Sequence, residues 1–103
     1  MIIRIATDGC IHVDDPANFR KFKVVCEAAE TAYAAVAGTN PGTITFDDAK
    51  TAWVSIAALR AFEGLAGDQA WQTGFANMIK AAEPHGWISR DGRAIKAHVD
   101  WAA

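Results

Sequence analysis

The 103-residue sequence has few cysteines, no strong excess of charge and no long apolar run, and each shortage excludes a class of protein. Two cysteines, Cys10 and Cys26, are too few for the disulfide framework of a small secreted domain, so we expect reduced thiols. The formal net charge of -2 argues against a protein that mainly binds nucleic acid. Because membrane-span and secretory-signal patterns are missing, we expect a cytoplasmic protein with no membrane partner.

Signatures of cofactor and metal binding are missing as well. The glycines match neither of the two common phosphate-binding fingerprints, and no spacing of cysteine and histidine matches a zinc signature. We therefore expect no cofactor and assign no metal ligands. No complete catalytic set is visible, so the sequence leaves open whether the protein is an enzyme.

Apolar and aromatic residues, in contrast, are plentiful. Hydrophobic residues make up 51% of the chain, and four Trp, five Phe and one Tyr are present. A chain of this length can bury roughly 60 to 70% of its unfolded surface. We therefore expect one domain with a real core over residues 1–103.

The strongest local signal is Asp91-Gly92, which lies between two alternating segments and predicts a β-hairpin. A two-residue loop there sets these opposed pairs: Arg90 with Arg93, Ile88 with Ile95, Trp87 with Lys96, and His85 with His98. Strand alternation then gives an apolar face with Ile88, Ile95, Ala97, Val99 and Trp101. The opposite face carries Trp87, Ser89, Lys96, His98 and Asp100.

Asp8-Gly9 predicts a second hairpin at the N-terminal end, and a two-residue loop there places Ala6 opposite Ile11. Three helices are predicted between the hairpins. The first runs from the Asp15-Pro16 cap to Ala37, the second from Phe46 to just before Gly64, and the third from the Asp68 cap to Pro84. The predicted fold is α+β, with three helices packed on a small antiparallel sheet made by the N- and C-terminal hairpins.

The second predicted helix is apolar on nearly every side between Trp53 and Phe62. Such a helix must be central in the core or buried against another subunit. Together with the apolar first strand, this pattern predicts a homodimer.

From residue 17 onward, the order of a helix, a short strand at 43–45, two helices and a hairpin resembles winged-helix domains. The resemblance is one of element order only, and it implies a winged-helix nucleic-acid binder as an alternative. The third helix, which would contact bases, carries Lys80 as its single basic residue, and this argues against nucleic acid as the partner.

Residues on the polar face of the C-terminal hairpin are the candidates for chemistry. His98 and His85, with Asp100 nearby, could share a proton, and we take these three as candidate catalytic residues for acid/base work. Trp87 and Lys96 are candidate ligand-binding residues, because a large aromatic on a polar face suits a pocket or an interface. Arg90 and Arg93 are added, since two opposed arginines attract a carboxylate or phosphate.

The sequence thus predicts a small ligand-binding or protein-interaction domain. A ligand of this domain would be a small polar or aromatic molecule. Two alternatives stay open: a small-molecule enzyme with a His/Asp acid-base set, and a winged-helix nucleic-acid binder.

Overall fold

The computed structural model describes residues 1–102 and confirms the α+β class. Six strands are present: β1 (Ile2–Ile5), β2 (Ile11–Asp14), β3 (Lys23–Cys26), β4 (Ile44–Phe46), β5 (Thr51–Ser55) and β6 (Ala94–Trp101). The helices are α1 (Tyr33–Ala37), α2 (Ile56–Arg60) and α3 (Gln69–Ala82), with 3-10 turns at Glu30–Ala32 and Glu83–His85. Among residues 1–102, no helix has both the length and the apolar character needed to cross a membrane.

The strands form one mixed sheet in the order β2-β1-β3-β6-β5-β4. The predicted antiparallel sheet is therefore partly wrong: β1 pairs with β3, and β3 with β6, in parallel. Turn signals predict hairpins, which are antiparallel and local. Parallel neighbours need crossover connections and leave no such signal in the sequence.

The first predicted helix is wrong for most of its length. Asp15 has a φ of 48° and begins an irregular segment at 15–22, after which the chain forms β3. The segment Lys-Val-Val-Cys suits a strand because it contains two β-branched valines and alternates in burial. Only α1 remains of the predicted helix, and it ends at Ala37 with Gly38 as its C-cap, as predicted.

The second predicted helix is also wrong, because its residues form the end of β4, all of β5 and the short α2. Ala52 and Val54 are buried on one face of β5, while Trp53 lies on the other face, half-buried, and donates from Nε1 to Asp47 at 2.9 Å. The apolar stretch is accounted for by a strand that lies between β4 and β6. The pattern that suggested a homodimer therefore has an explanation within one chain.

The third predicted helix is confirmed as α3. Its N-cap is Asp68, whose carboxylate accepts the backbone N–H of Trp71 at 3.0 Å. The winged-helix element order is wrong, because its first two helices are largely replaced by strands of the six-stranded sheet.

The two hairpin predictions have different outcomes. At the N-terminal end Ile11 pairs with Ile5 and not with Ala6, because the loop is a three-residue turn closed by Gly9 at a φ of 88°. At the C-terminal end Ile88 does bridge Ile95. Pairing stops at Trp87, since the backbone turns at Gly86 with a φ of 74°.

The inner face of the sheet packs against α3 and forms the core. Phe75 of α3 is fully buried, and the inward residues of β6, namely Ile95, Ala97 and Val99, lie in the same cluster. The outward residues Lys96 and His98 of β6 are exposed. The alternation predicted for this strand is thus confirmed, and it positions the candidate site.

Candidate functional site

A groove of about 380 Å³ lies beside β6, between the segment 15–22 and the end of α3; we call it the β6 groove. Its apolar lining is buried or half-buried and consists of Phe19, Phe22, Met78, Ala82, Ile95 and Ala97. Its other lining residues are exposed, except for half-buried Thr51, and consist of Arg20, Lys50, Thr51, Trp87, Lys96 and His98. The groove thus has an apolar floor and a polar rim.

The groove opens where β6 changes its neighbour in the sheet. The backbone N–H of Lys96 donates to the carbonyl of Trp87 at 2.7 Å, whereas the parallel pairing with β3 begins at His98 and Lys23. Inward Ala97 lies between these two contacts and lines the groove. The change of neighbour therefore brings inward and outward residues of one strand into the same concavity.

One wall of the β6 groove is formed by the irregular segment 15–22. The ring of Phe19 lies directly over Gly74 of α3, where a Cβ atom would come within 2.4 Å of it. Trp71 holds the start of the segment by donating from Nε1 to the carbonyl of Pro16 at 2.9 Å. A glycine in the middle of a helix thus makes room for a wall of the site.

The charged side chains that line the groove are basic in the part of the chain that the structure describes. Among residues 1–102 the ion pairs join Arg4 to Asp14 and Glu27, and Asp100 to Lys23 and His98. The rim cations Arg20, Lys50 and Lys96 take part in none of them, and no carboxylate of residues 1–102 lines the groove. Three cations that have no acidic partner among the described residues attract an anion, although the chain as a whole is slightly negative.

His98 and Asp100, two of the three predicted catalytic residues, are brought together, with His98 on the groove rim and Asp100 outside the lining. Nε2 of His98 lies 2.9 Å from Oδ1 of Asp100, and Nζ of Lys23 donates to Oδ2 of the same carboxylate at 2.9 Å. The hydrogen bond from Lys23, and to a lesser degree that from His98, holds the pKa of the Asp100 carboxyl below its usual value. An ionised Asp100 keeps the proton of His98 on Nε2, so Nδ1 is left as an acceptor.

His85, the third predicted catalytic residue, is not opposite His98, whose register partners are Thr51 and Lys23. It lies in the 3-10 turn after α3, and its ring stacks on Trp87 with centroids 4.4 Å apart and planes 19° apart. Because His85 does not line the groove, its visible role is to support the tryptophan.

The predicted ligand-binding residues divide into two groups. Trp87 and Lys96 both line the β6 groove. Arg90 and Arg93 lie in the turn of the C-terminal hairpin. Arg93 lines a second depression, which lies beside the start of α2. Asp91 accepts from the hydroxyl of Ser89 at 2.6 Å and from the backbone N–H of Arg93 at 3.0 Å, so the turn is stabilised without any ligand.

Arg20, Lys50, Thr51 and the two phenylalanines of the groove were not predicted as site residues. Their place in the site follows from β3, β5 and the segment 15–22, all of which the sequence pattern assigned to helices. Exposed cations at 20 and 50 carry no signal of their own in the sequence. Only the alternation of β6 pointed to this surface.

Metal binding has no support in the part of the chain that the structure covers, since residues 1–102 contain no group of three or more His, Cys, Asp or Glu side chains able to hold an ion. Comparison of the chain with protein-family models, curated proteins and solved structures found no match. Function must therefore be inferred from the chemistry of the β6 groove.

Proposed function

We propose that this chain is a non-catalytic ligand-binding domain whose β6 groove takes a small organic anion with an apolar part. The observation that carries the proposal is the combination of an apolar floor with three rim cations, Arg20, Lys50 and Lys96, that have no acidic partner in residues 1–102.

The size of the groove favours a small molecule. Ligand sites are typically about 300 to 1,000 Å³, mostly apolar, with a few polar groups that orient the ligand. At about 380 Å³ the β6 groove lies at the lower end of that range. Burial of the apolar part of a ligand supplies affinity at about 25 cal/mol per Å², and the cations select for a negative headgroup.

Calorimetric titration with octyl phosphate tests the proposal, with inorganic phosphate and 1-octanol as the two halves of the probe. We expect saturable binding of octyl phosphate, weaker binding of either half, and affinity that falls as salt is added. The double variant Lys50→Gln/Lys96→Gln should bind about tenfold more weakly, since it removes two charge-assisted contacts.

Lys80→Gln is the matched control, because Lys80 is exposed on α3 and does not line the groove. It should leave the affinity unchanged. If octyl phosphate does not bind, or if Lys80→Gln weakens binding as much as the double variant, the groove is not the site and the proposal is wrong.

The pair of His98 and Asp100 favours a second candidate, a small-molecule hydrolase that uses the same groove. Asp100 would hold His98 in the tautomer with the proton on Nε2, and Nδ1 would take a proton from the water that attacks the carbonyl carbon of a bound ester. As the acyl C–O bond breaks, the same proton would pass to the leaving oxygen, which releases an alcohol and a carboxylic acid. Hydrolysis of 4-nitrophenyl acetate tests this function. A hydrolase requires turnover that is lost in the variant His98→Asn. The control variant His12→Asn should retain the turnover, because His12 is exposed on β2.

Two further predictions concern macromolecular partners. A homodimer would appear in light scattering at micromolar concentration, and a monomer there would exclude it. A nucleic-acid binder would show affinity for duplex DNA or RNA that falls steeply with salt, and the absence of salt-sensitive binding would exclude it.

A further inference from the structure

The aromatic wall of the β6 groove is Trp87, whose exposure is unusual for this protein. Trp87 is 49% exposed and is the only exposed large hydrophobic residue in the range 1–102. The other three tryptophans are half-buried or buried. An exposed indole that lines a groove offers a large apolar surface to a ligand at little cost in side-chain entropy.

The indole is supported on one face by His85, and its backbone is paired with β6. His85 stacks on the ring, and the carbonyl of Trp87 accepts the backbone N–H of Lys96 at 2.7 Å. The bridge between Ile88 and Ile95 continues the same pairing. Because His85 occupies one face of the ring and does not line the groove, the remaining surface of the ring is the part that Trp87 contributes to the site.

Trp87 and Lys96 are held side by side by that pairing, and both line the groove. A planar ring placed against the indole would therefore bring an attached anionic group close to the ammonium of Lys96. Stacked aromatic pairs contribute favourably beyond the area that they bury, and an alkyl chain gains nothing from this geometry except burial.

We propose that the natural ligand carries a planar aromatic ring, stacked on Trp87, and a phosphate or carboxylate attached to that ring or a few bonds from it. This inference rests on the proposed function of the β6 groove and specifies the class of its ligand. His85 acts as a positioning residue for the tryptophan and does not touch the ligand.

A pair of probes that share a headgroup separates the ring from the charge. 1-Naphthyl phosphate carries an aromatic ring, whereas octyl phosphate has an apolar part of similar size without one. We expect 1-naphthyl phosphate to bind up to about tenfold more tightly, as stacking on an aromatic ring predicts. 1-Naphthoate in place of the phosphate shows which of the two headgroups the cations prefer.

Trp87→Leu keeps an apolar side chain and removes the ring, and it changes an exposed position, so folding should be preserved; circular dichroism checks this. The variant should lose the preference for 1-naphthyl phosphate, because its affinity for this probe should fall more than its affinity for octyl phosphate. Trp87→Phe should retain part of the preference, because it restores a ring.

The outcomes distinguish the two proposals. If both phosphates bind equally and Trp87→Leu affects them equally, the aromatic class is wrong and the groove remains an anion site. If neither phosphate binds, the proposed function fails, and the aromatic class fails with it. If the preference survives in Trp87→Leu, the ring does not stack on Trp87.

Discussion

Replacement of Gly74 by alanine tests the packing that holds the wall of the β6 groove in place. An added Cβ would lie 2.4 Å from Cε2 and 2.8 Å from Cζ of Phe19. Ordinary carbon contacts are about 3.5 to 4.0 Å, so the ring must move by about 1 Å. Trp71 lies near the Phe19 ring, with the two centroids 6.3 Å apart. Space for the movement is available on the side of Phe19 that lines the groove.

Two opposing effects set the free energy of unfolding of Gly74→Ala. Alanine in a helix interior stabilises by about 0.8 to 1.0 kcal/mol relative to glycine. Overpacking in a well-packed region costs about 1 to 3 kcal/mol. We therefore expect a net destabilisation of about 1 kcal/mol, which lowers the Tm of a chain of this size by roughly 4 to 8 °C.

The sign of the effect should reverse when Phe19 is removed. In the Phe19→Ala background the clash is gone, so Gly74→Ala should stabilise the protein by up to about 1 kcal/mol through helix propensity alone. Urea denaturation of the four proteins measures this coupling. Calorimetric titration with octyl phosphate should show weaker binding to Gly74→Ala than to the wild-type protein, since the displaced Phe19 ring narrows the groove.

Gly67→Ala is the control, because a Cβ there has no heavy atom within 4 Å and the backbone does not need a positive φ. Its effect should stay within about 0.5 kcal/mol. If Gly74→Ala stabilises the wild-type chain as much as it stabilises the Phe19→Ala chain, Phe19 does not pack on Gly74 and the wall is formed in another way.

Three further predictions concern the rest of the fold. Ellman's reagent should react with exposed Cys10 in the native protein but with Cys26 only after unfolding, since burial raises the pKa of the Cys26 thiol to about 11 and closes access; rapid reaction of both thiols would contradict this. The hydrogen bond from Arg4 lowers the pKa of Asp14 in the folded protein. The stabilisation by this ion pair is therefore present above the unfolded-state pKa of about 3.9 and is lost as the pH falls below that value. The Tm of Asp14→Asn should fall less over this acid range than the Tm of the wild-type protein, and parallel curves of Tm against pH would refute the role of the pair. Asp68→Ala should lower the free energy of unfolding by about 1 kcal/mol, because it removes the N-cap of α3, whereas Asp68→Asn should retain most of it.

Part of the candidate site could be predicted because it lies on one locally encoded element. The alternation of Ile95, Ala97 and Val99 with polar residues fixed which face of β6 is outward, and the Asp91-Gly92 turn placed Ile88 opposite Ile95. This was sufficient to bring Trp87 and Lys96 to one surface, with His98 near Asp100. The opposed pair of His85 and His98 was not formed, because a left-handed Gly86 ended the pairing first.

The other half of the site lay beyond prediction because it depends on strand pairing between distant segments. Lys23 of β3 and Thr51 of β5 both become register partners of His98, although their local patterns fitted a helical stripe as well as a strand. Residues spaced three or four apart occur by chance in any apolar segment, and short apolar runs do not distinguish the two periods.

What the sequence by itself determined is local: the turns at Gly9 and Gly92, the cap of α3 at Asp68, the end of α1 at Gly38, and the two faces of β6. What only the tertiary structure decided is the parallel pairing of β3 between β1 and β6, and with it the β6 groove. The physical reason is that turns and caps are satisfied by neighbouring residues, whereas a strand gains its hydrogen bonds and its buried face only from partners far away in the chain.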